Sequence, residues 1–268
     1  MTSTIDDVLS GRARWCVVHA DCLHVLPTLG PVDHVITDGP YGVGTNDLTA
    51  DDEPYVAALR MVETCPSRAF FGYAEWLVSW IGQLGWGKPN EWVTWYPSNA
   101  EVKAGSRSKH SLPKSAEHVA IYGPLPGVRS VRRERSKGGQ KLAGKLINTR
   151  WSGGRPLEET AQAGDVWGDP SPGIAFQSHR RLHPNEKPES LLEKLVALVS
   201  KPDALVLDMF AGSGTTGVAA LRLGRRVILI EKDAGYAALI RQRMEAEENG
   251  STLEAARAGQ VPMFGGSR

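Results

Sequence analysis

Apolar residues in this chain fall in short runs, and three of the runs end in an acid. Val32-Asp33-His34-Val35-Ile36-Thr37 reads as a buried strand that stops at Asp38. Leu205-Val206-Leu207 reads as a second, stopping at Asp208, and Val227-Ile228-Leu229-Ile230 as a third, stopping at Glu231. Between the last two, Val218, Ala219, Ala220, Leu221 and Leu223 continue a helix that Gly224 stops. Residues 15 to 45 read as strand, short helix or turn, strand, loop. Pro54 to Val62 reads as a helix with Val56, Leu59 and Val62 on one side. Ala69 to Gly72 reads as a short strand. Glu75 to Gly82 reads as a helix whose Trp76, Leu77 and Trp80 belong to a core rather than a ligand stack. Glu91 to Tyr96 alternates as a strand does, and Glu117 to Tyr122 is another strand. Pro188 to Ser200 carries Leu191, Leu192, Leu195, Val196 and Val199 at helical spacing, with Pro188 suited to the first helical position. Asp233 can cap a helix running through Tyr236, Leu239, Ile240 and Met244. The pattern predicts one principal α/β domain with an insertion.

The acids matter because ligands in open α/β sheets bind at the carboxyl ends of strands. Asp38-Gly39-Pro40-Tyr41 places a carboxylate, backbone carbonyls and an aromatic face at one such end. That set suits a flat base with an exocyclic amine: the acceptors take the amine hydrogens and Tyr41 stacks on the ring. Taken alone, the tetrapeptide reads equally well as a turn. The second strand runs through Asp208 into Met209-Phe210-Ala211-Gly212-Ser213-Gly214-Thr215-Thr216-Gly217, a glycine-rich bend that opens a helix. Glycines admit close approach of a ligand, and a helix start presents free N–H groups. The bend lacks Gly-Lys-Ser/Thr, so it is not a P-loop. Glu231, ending the next strand, is placed to accept from ribose hydroxyls. A nucleoside-type ligand follows. The G-x-G-x-x-G spacing by itself leaves a dinucleotide and S-adenosylmethionine both open.

Composition changes this picture in two places. The net charge of the 268 residues is only +1, but residues 103 to 155 hold thirteen Lys or Arg against two acids, Glu117 and Glu134. The densest part, with Arg129, Arg132, Arg133, Arg135, Lys137, Lys141 and Lys145, is the footprint of a polyanion partner, or else a solvated basic loop. Cys16, Cys22 and Cys65 show no metal spacing, so no metal is expected and a reduced, cytoplasmic setting is. No apolar run reaches the roughly 18 residues of a membrane span, and Met1 to Arg14 lacks the apolar core of a signal peptide.

Together these stretches resemble the β class of amino-methylating DNA methyltransferases. Asp38-Gly39-Pro40-Tyr41 resembles that family's catalytic Asp-Pro-Pro-Tyr, and Asp208 to Thr216 its S-adenosylmethionine loop, in the β-class order. Val18 to Leu23 with Leu26 resembles the segment leading to the catalytic strand, and His183-Pro184-Asn185-Glu186-Lys187-Pro188 resembles His-Pro-Thr-Glu-Lys-Pro beside the cofactor. Asp165-Val166-Trp167 resembles the approach to it. The likeness covers roughly residues 15 to 45, 90 to 122 and 165 to 245. It implies a Rossmann-like methyltransferase fold, a mostly parallel sheet with helices on both faces. The division it suggests is 1–122 (catalytic half), 123–164 (basic target-recognition insertion), 165–248 (cofactor half) and 249–268 (flexible tail). It further implies that Asp38, Gly39, Pro40 and Tyr41 are catalytic. By the same resemblance S-adenosylmethionine would be held by Asp21, Asp208, Phe210, Ala211, Gly212, Ser213, Gly214, Thr215, Thr216, Glu231 and His183, and double-stranded DNA by the basic segment. Gly39 stands where the family has proline, and Asn185 where it has threonine.

The reaction so implied is methyl transfer to the N6 amine of adenine in a flipped-out base, with cytosine N4 as the alternative. Cytosine carbon methylation is disfavoured, because it uses a Pro-Cys pair and none of the three cysteines follows a proline. A methyltransferase acting on RNA, a DNA-binding module with a degenerate cofactor site, and a nicotinamide oxidoreductase are the other classes; the last leaves the Asp38 motif unexplained. In the tail, Gln260-Val261-Pro262-Met263-Phe264 resembles peptides that dock on bacterial sliding clamps, against the plainer reading that Met263 and Phe264 pack on the domain. Monomer and homodimer are both open.

Overall fold

The computed structural model describes residues 3–39, 53–96, 116–126, 166–167, 182, 186–251 and 253. Eight strands form one sheet: β1 (Trp15–His19), β2 (His34–Thr37), β3 (Ser67–Gly72), β4 (Glu91–Trp95), β5 (Glu117–Tyr122), β6 (Val166–Trp167), β7 (Leu205–Asp208) and β8 (Arg226–Glu231). Their order is β1-β8-β7-β2-β3-β5-β4-β6, and β5 is antiparallel to both of its neighbours while every other pairing is parallel. All four residues of β2 and of β7 are buried. Continuous burial is what a parallel strand covered on both faces requires.

The helices are α1 (Ile5–Leu9), α2 (Cys22–Val25), α3 (Glu53–Met61), α4 (Ala74–Leu84), α5 (Glu189–Val199), α6 (Thr215–Arg222) and α7 (Ala234–Glu248), with a 3-10 turn at Leu26–Thr28. From β7 the chain crosses through α6 to β8 on one side. From β2 it crosses through α3 to β3 on the other. Right-handed crossovers running in opposite directions place their helices on opposite faces of the sheet. The reversal falls between β2 and β7, which are adjacent at the centre with His34 beside Val206 and Val35 beside Leu207. That is the switch point where open α/β sheets form ligand crevices.

The expected elements stand within a residue or two. Trp76, Leu77 and Trp80 are core residues, as expected. Two differences have local causes. Pro188 is the cap of α5 and not its first residue, with ψ at 140°; its ring fixes φ near the helical value but leaves ψ open. The helix α1 has no counterpart in the expected elements. Its five residues are too few to show a period, and it stands on a capping box between Thr4 and Asp7 and on the buried Val8. Leu253, within the stretch expected to be loosely ordered, is buried. No helix among the described residues is long and apolar enough to cross a membrane.

Candidate active site

The carboxyl ends of β2 and β7 open into a single cavity of about 530 Å³, within the range of small-molecule sites. Its walls bring together Asp38 and Gly39 from the first predicted motif, Asp208, Phe210, Ala211, Gly212, Ser213, Thr215 and Thr216 from the second, and Asp21 and Glu231 from two further strand ends. Residues 170 positions apart in the chain thus share one space because their strands are neighbours. Thr37 Oγ1 donates to Asp208 Oδ1 at 3.0 Å, joining the two strand ends directly. Of the remaining expected residues, Gly214 begins the helix α6. Pro40, Tyr41, His183, the basic residues Arg129, Arg132, Arg133, Arg135, Lys137, Lys141 and Lys145, and the tail residues Gln260, Met263 and Phe264 lie outside the described residues.

The glycine bend is built for close packing. Gly214 caps α6 with φ at +80°, a left-handed value that glycine adopts without strain. A Cβ on Gly217 would lie 2.6 Å from Leu229 Cδ1 and 2.7 Å from Met244 Sδ. Here glycine is needed for the approach of α6 to β8 and α7. Arg243, buried on α7, donates to the carbonyl of Ser213 at 2.9 Å and pairs with Glu186 at 3.2 Å. The bend is therefore clamped from behind.

Glu231 receives the N–H of Gly212 on one carboxylate oxygen and that of Asp233 on the other, each at 2.8 Å. A carboxylate has about four acceptor sites, so two backbone donors orient it and leave capacity for ligand hydroxyls. Asp21 caps α2 through the N–H of Leu23 at 3.0 Å and pairs with Lys232 at 2.8 Å, while also facing the cavity. The cap and the wall are one residue. Asp208 is buried, and burial pushes its pKa up to about 6 against the hydrogen bonds from Thr216, Phe210 and Thr37. The charge of Asp38 adds to the rise.

Lys187 is absent from the expected site, yet it holds the Asp38 corner. Its ammonium sits 2.5 Å from Asp38 Oδ2 and 3.0 Å from Glu117 Oε2, with only 7% of the side chain exposed. Burial works against its charge, but the two carboxylates outweigh burial and raise its pKa. The rings of Phe71 and Trp95 lie 5.3 and 6.0 Å from the ammonium, within cation–π reach. A cation just before a helix start opposes the helix dipole, so this lysine is placed for its partners and not for α5. The signal was present in the sequence: Lys187 belongs to the His183–Pro188 motif, but nothing local shows that it reaches a strand end 149 residues away.

The sequence pattern described as DNA methylase matches residues 87–242, more than half of the chain. The chain belongs to the DNA methylase family of N6 and N4 amino-methyltransferases. The matched stretch includes Glu117, Lys187, Asp208 and Glu231; Asp38 precedes it. The Type II methyltransferase M2.DpnII of Streptococcus pneumoniae is 42% identical over 93 residues, 35% of this chain and 34% of that protein. The DNA adenine methyltransferase YhdJ of Escherichia coli is 34% identical over 112 residues, 42% of this chain and 38% of that one. These two alignments thus span little more than a third of each relative. The Type II methyltransferase M.HpaI of Haemophilus parainfluenzae is 26% identical over 235 residues, 82% of this chain and 70% of that protein. The M1.HpyAVI–SAM complex has the same fold, with a TM-score of 0.58 at 19% identity over 86% of this chain and 98% of that one. So does the PvuII cytosine-N4-specific methyltransferase, at 0.58 and 16% identity over 85% and 86%.

Two measurements test this geometry. Lys187→Met strands two carboxylates beside each other. It should cost about 3 kcal/mol in urea denaturation, the low end for breaking a buried pair, because Asp38 and Glu117 each keep a fifth of their surface exposed. Adding Glu117→Gln should recover part of that loss. Asp208 binds its proton more tightly folded than unfolded, so its contribution to stability falls as pH rises from about 4 to about 6. The stability of Asp208→Asn relative to the wild type should therefore rise across that window, measured by denaturation at each pH.

Proposed function

We propose that this protein transfers a methyl group from S-adenosylmethionine to the exocyclic N6 amine of an adenine swung out of duplex DNA. One observation carries the reading: the Asp38 corner and the glycine bend of a DNA methylase family chain face each other across one cavity. The donor set fits the cofactor. Asp21, Asp208 and Glu231 offer carboxylate acceptors for an ammonium and for ribose hydroxyls, and the bend offers backbone approach. S-adenosylmethionine, when bound, supplies a methyl group on a positively charged sulfur. Asp208 and the bend through Thr216 would hold its methionine and sugar end, Glu231 its ribose, and Asp21 the surroundings of its adenine.

The chain's own residues prepare the acceptor. An aromatic amine is a poor nucleophile because its lone pair is shared with the ring. Hydrogen bonds from the amine to the Asp38 carboxylate and to the Gly39 carbonyl favour a pyramidal nitrogen whose lone pair faces the cavity. Positioning of that kind supplies most of the acceleration in a displacement. Lys187 fixes the Asp38 carboxylate in place while it accepts. Tyr41 stacks on the extruded base, since the amine is out of reach inside the duplex. The basic residues from Arg129 to Lys145 would supply charge for the phosphates.

Adenine is favoured by the Asp at the first position of the catalytic motif and by the likeness to YhdJ. A second reading, cytosine N4, is supported by the shared fold of the PvuII enzyme. Long-read sequencing of DNA from cells expressing the protein should report N6-methyladenine at one defined sequence. N4-methylcytosine would replace the adenine assignment, and unmodified DNA would remove the activity. Asp38→Ala should abolish methyl transfer in vitro while calorimetry finds the cofactor bound within a few-fold of wild type; full methylation by that variant refutes the role of Asp38.

A further inference from the structure

Gly39 has no room for a side chain. A Cβ placed on it would lie 2.1 Å from Cε2 and 2.2 Å from Cδ2 of Tyr55, far inside the roughly 3.5–4.0 Å of carbon–carbon contact. The obstructing ring cannot retreat. Tyr55, on α3, is fully buried. It packs edge-on against Trp80, with centroids 4.8 Å apart, and against Phe210, 5.3 Å apart. Trp80 is itself fully buried, backed so closely by Gly72 that a Cβ there would meet it at 2.9 Å. Phe210 belongs to the glycine bend, and its N–H donates to Asp208 at 3.1 Å. One ring therefore touches the catalytic corner on one side and the cofactor bend on the other.

A glycine at position 39 needs such a wall. It has the greatest backbone freedom of any residue, and its carbonyl must point at the substrate amine for the proposed reaction. Proline, which stands here in the resembling motif, brings its own stiffness; in this chain a ring from another helix occupies the space beside the backbone. We propose that Tyr55 is a positioning residue: its ring fills the volume of the missing side chain at position 39 and holds the Gly39 peptide against the cofactor bend, so that the two residues are coupled. The inference rests on the methyl-transfer reading above.

A double-mutant cycle tests it, with Tyr55→Ala, Gly39→Ala, the pair, and Tyr55→Phe as the conservative variant. Single-turnover methyl transfer, cofactor affinity by calorimetry and thermal unfolding are measured for each. Displacing a reacting group by about 1 Å costs on the order of 100-fold in rate, so each alanine variant should slow transfer by about that much while cofactor affinity stays within a few-fold. In the Tyr55→Ala background, Gly39→Ala should then cost little further in rate or melting temperature, because the clash is gone. Tyr55→Phe should restore transfer. Single effects that multiply independently, or a Tyr55→Ala chain that transfers at the wild-type rate, would overturn the coupling. If Gly39→Ala does not fold alone but folds in the Tyr55→Ala background, the clash is shown directly; failure in both backgrounds overturns it. A wild-type chain without transfer removes the functional reading itself, whereas an active wild type with additive variants removes this inference alone.

Discussion

The parallel pairing of β2 with β7 is the constraint on which the site depends. It is pinned at both ends. Before the strands, Asp33 receives the N–H of Leu205 on its carboxylate at 2.8 Å and donates its own N–H to the Leu205 carbonyl at 3.1 Å. After them, Thr37 donates to Asp208. A slip of one residue in a fully buried strand would reverse every side chain and would separate the two acids. With the register held by Val35 beside Leu207, Asp38 and Asp208 both arrive at the carboxyl end of the sheet, and the opposed crossovers leave a crevice above them. The cavity is a consequence of topology before it is a matter of any side chain.

Acids then crowd that crevice, and the fold answers each in a different way. Glu231 is satisfied by two backbone N–H groups, Asp21 by a helix start and an exposed lysine, and Asp38 by the buried Lys187. Asp208 is held by hydrogen bonds from Thr216, Phe210 and Thr37, and burial raises its pKa. A carboxylate kept at that cost in stability marks a place where a ligand is expected to repay it. Arg243 adds a link that couples the parts: by holding Ser213 and Glu186 it ties the glycine bend to the segment that carries Lys187. The glycine bend and the Asp38 corner are therefore mechanically one unit.

Much of this was visible in the chain. Alternating strand and helix patterns gave the α/β class, and the three acid-terminated runs named Asp38, Asp208 and Glu231, all of which face the cavity. Those signals are local: a strand, a turn and a helix start can each be read within a dozen residues. Lys187 stands within a legible motif, but its role is not local, because its partners Asp38 and Glu117 lie far away in sequence. Tyr55 left no signal at all. Only the tertiary structure shows which backbone this ring on α3 leans on.

By itself, the sequence determined the fold class, the order of the motifs and the residue types that end the strands, since these depend on short-range periodicity and turn chemistry. Only the tertiary structure decided which strand ends meet, which cation neutralises Asp38 and why position 39 carries no side chain. Those outcomes depend on contacts between residues far apart in the chain, and sheet order and packing, not local preference, bring such residues together.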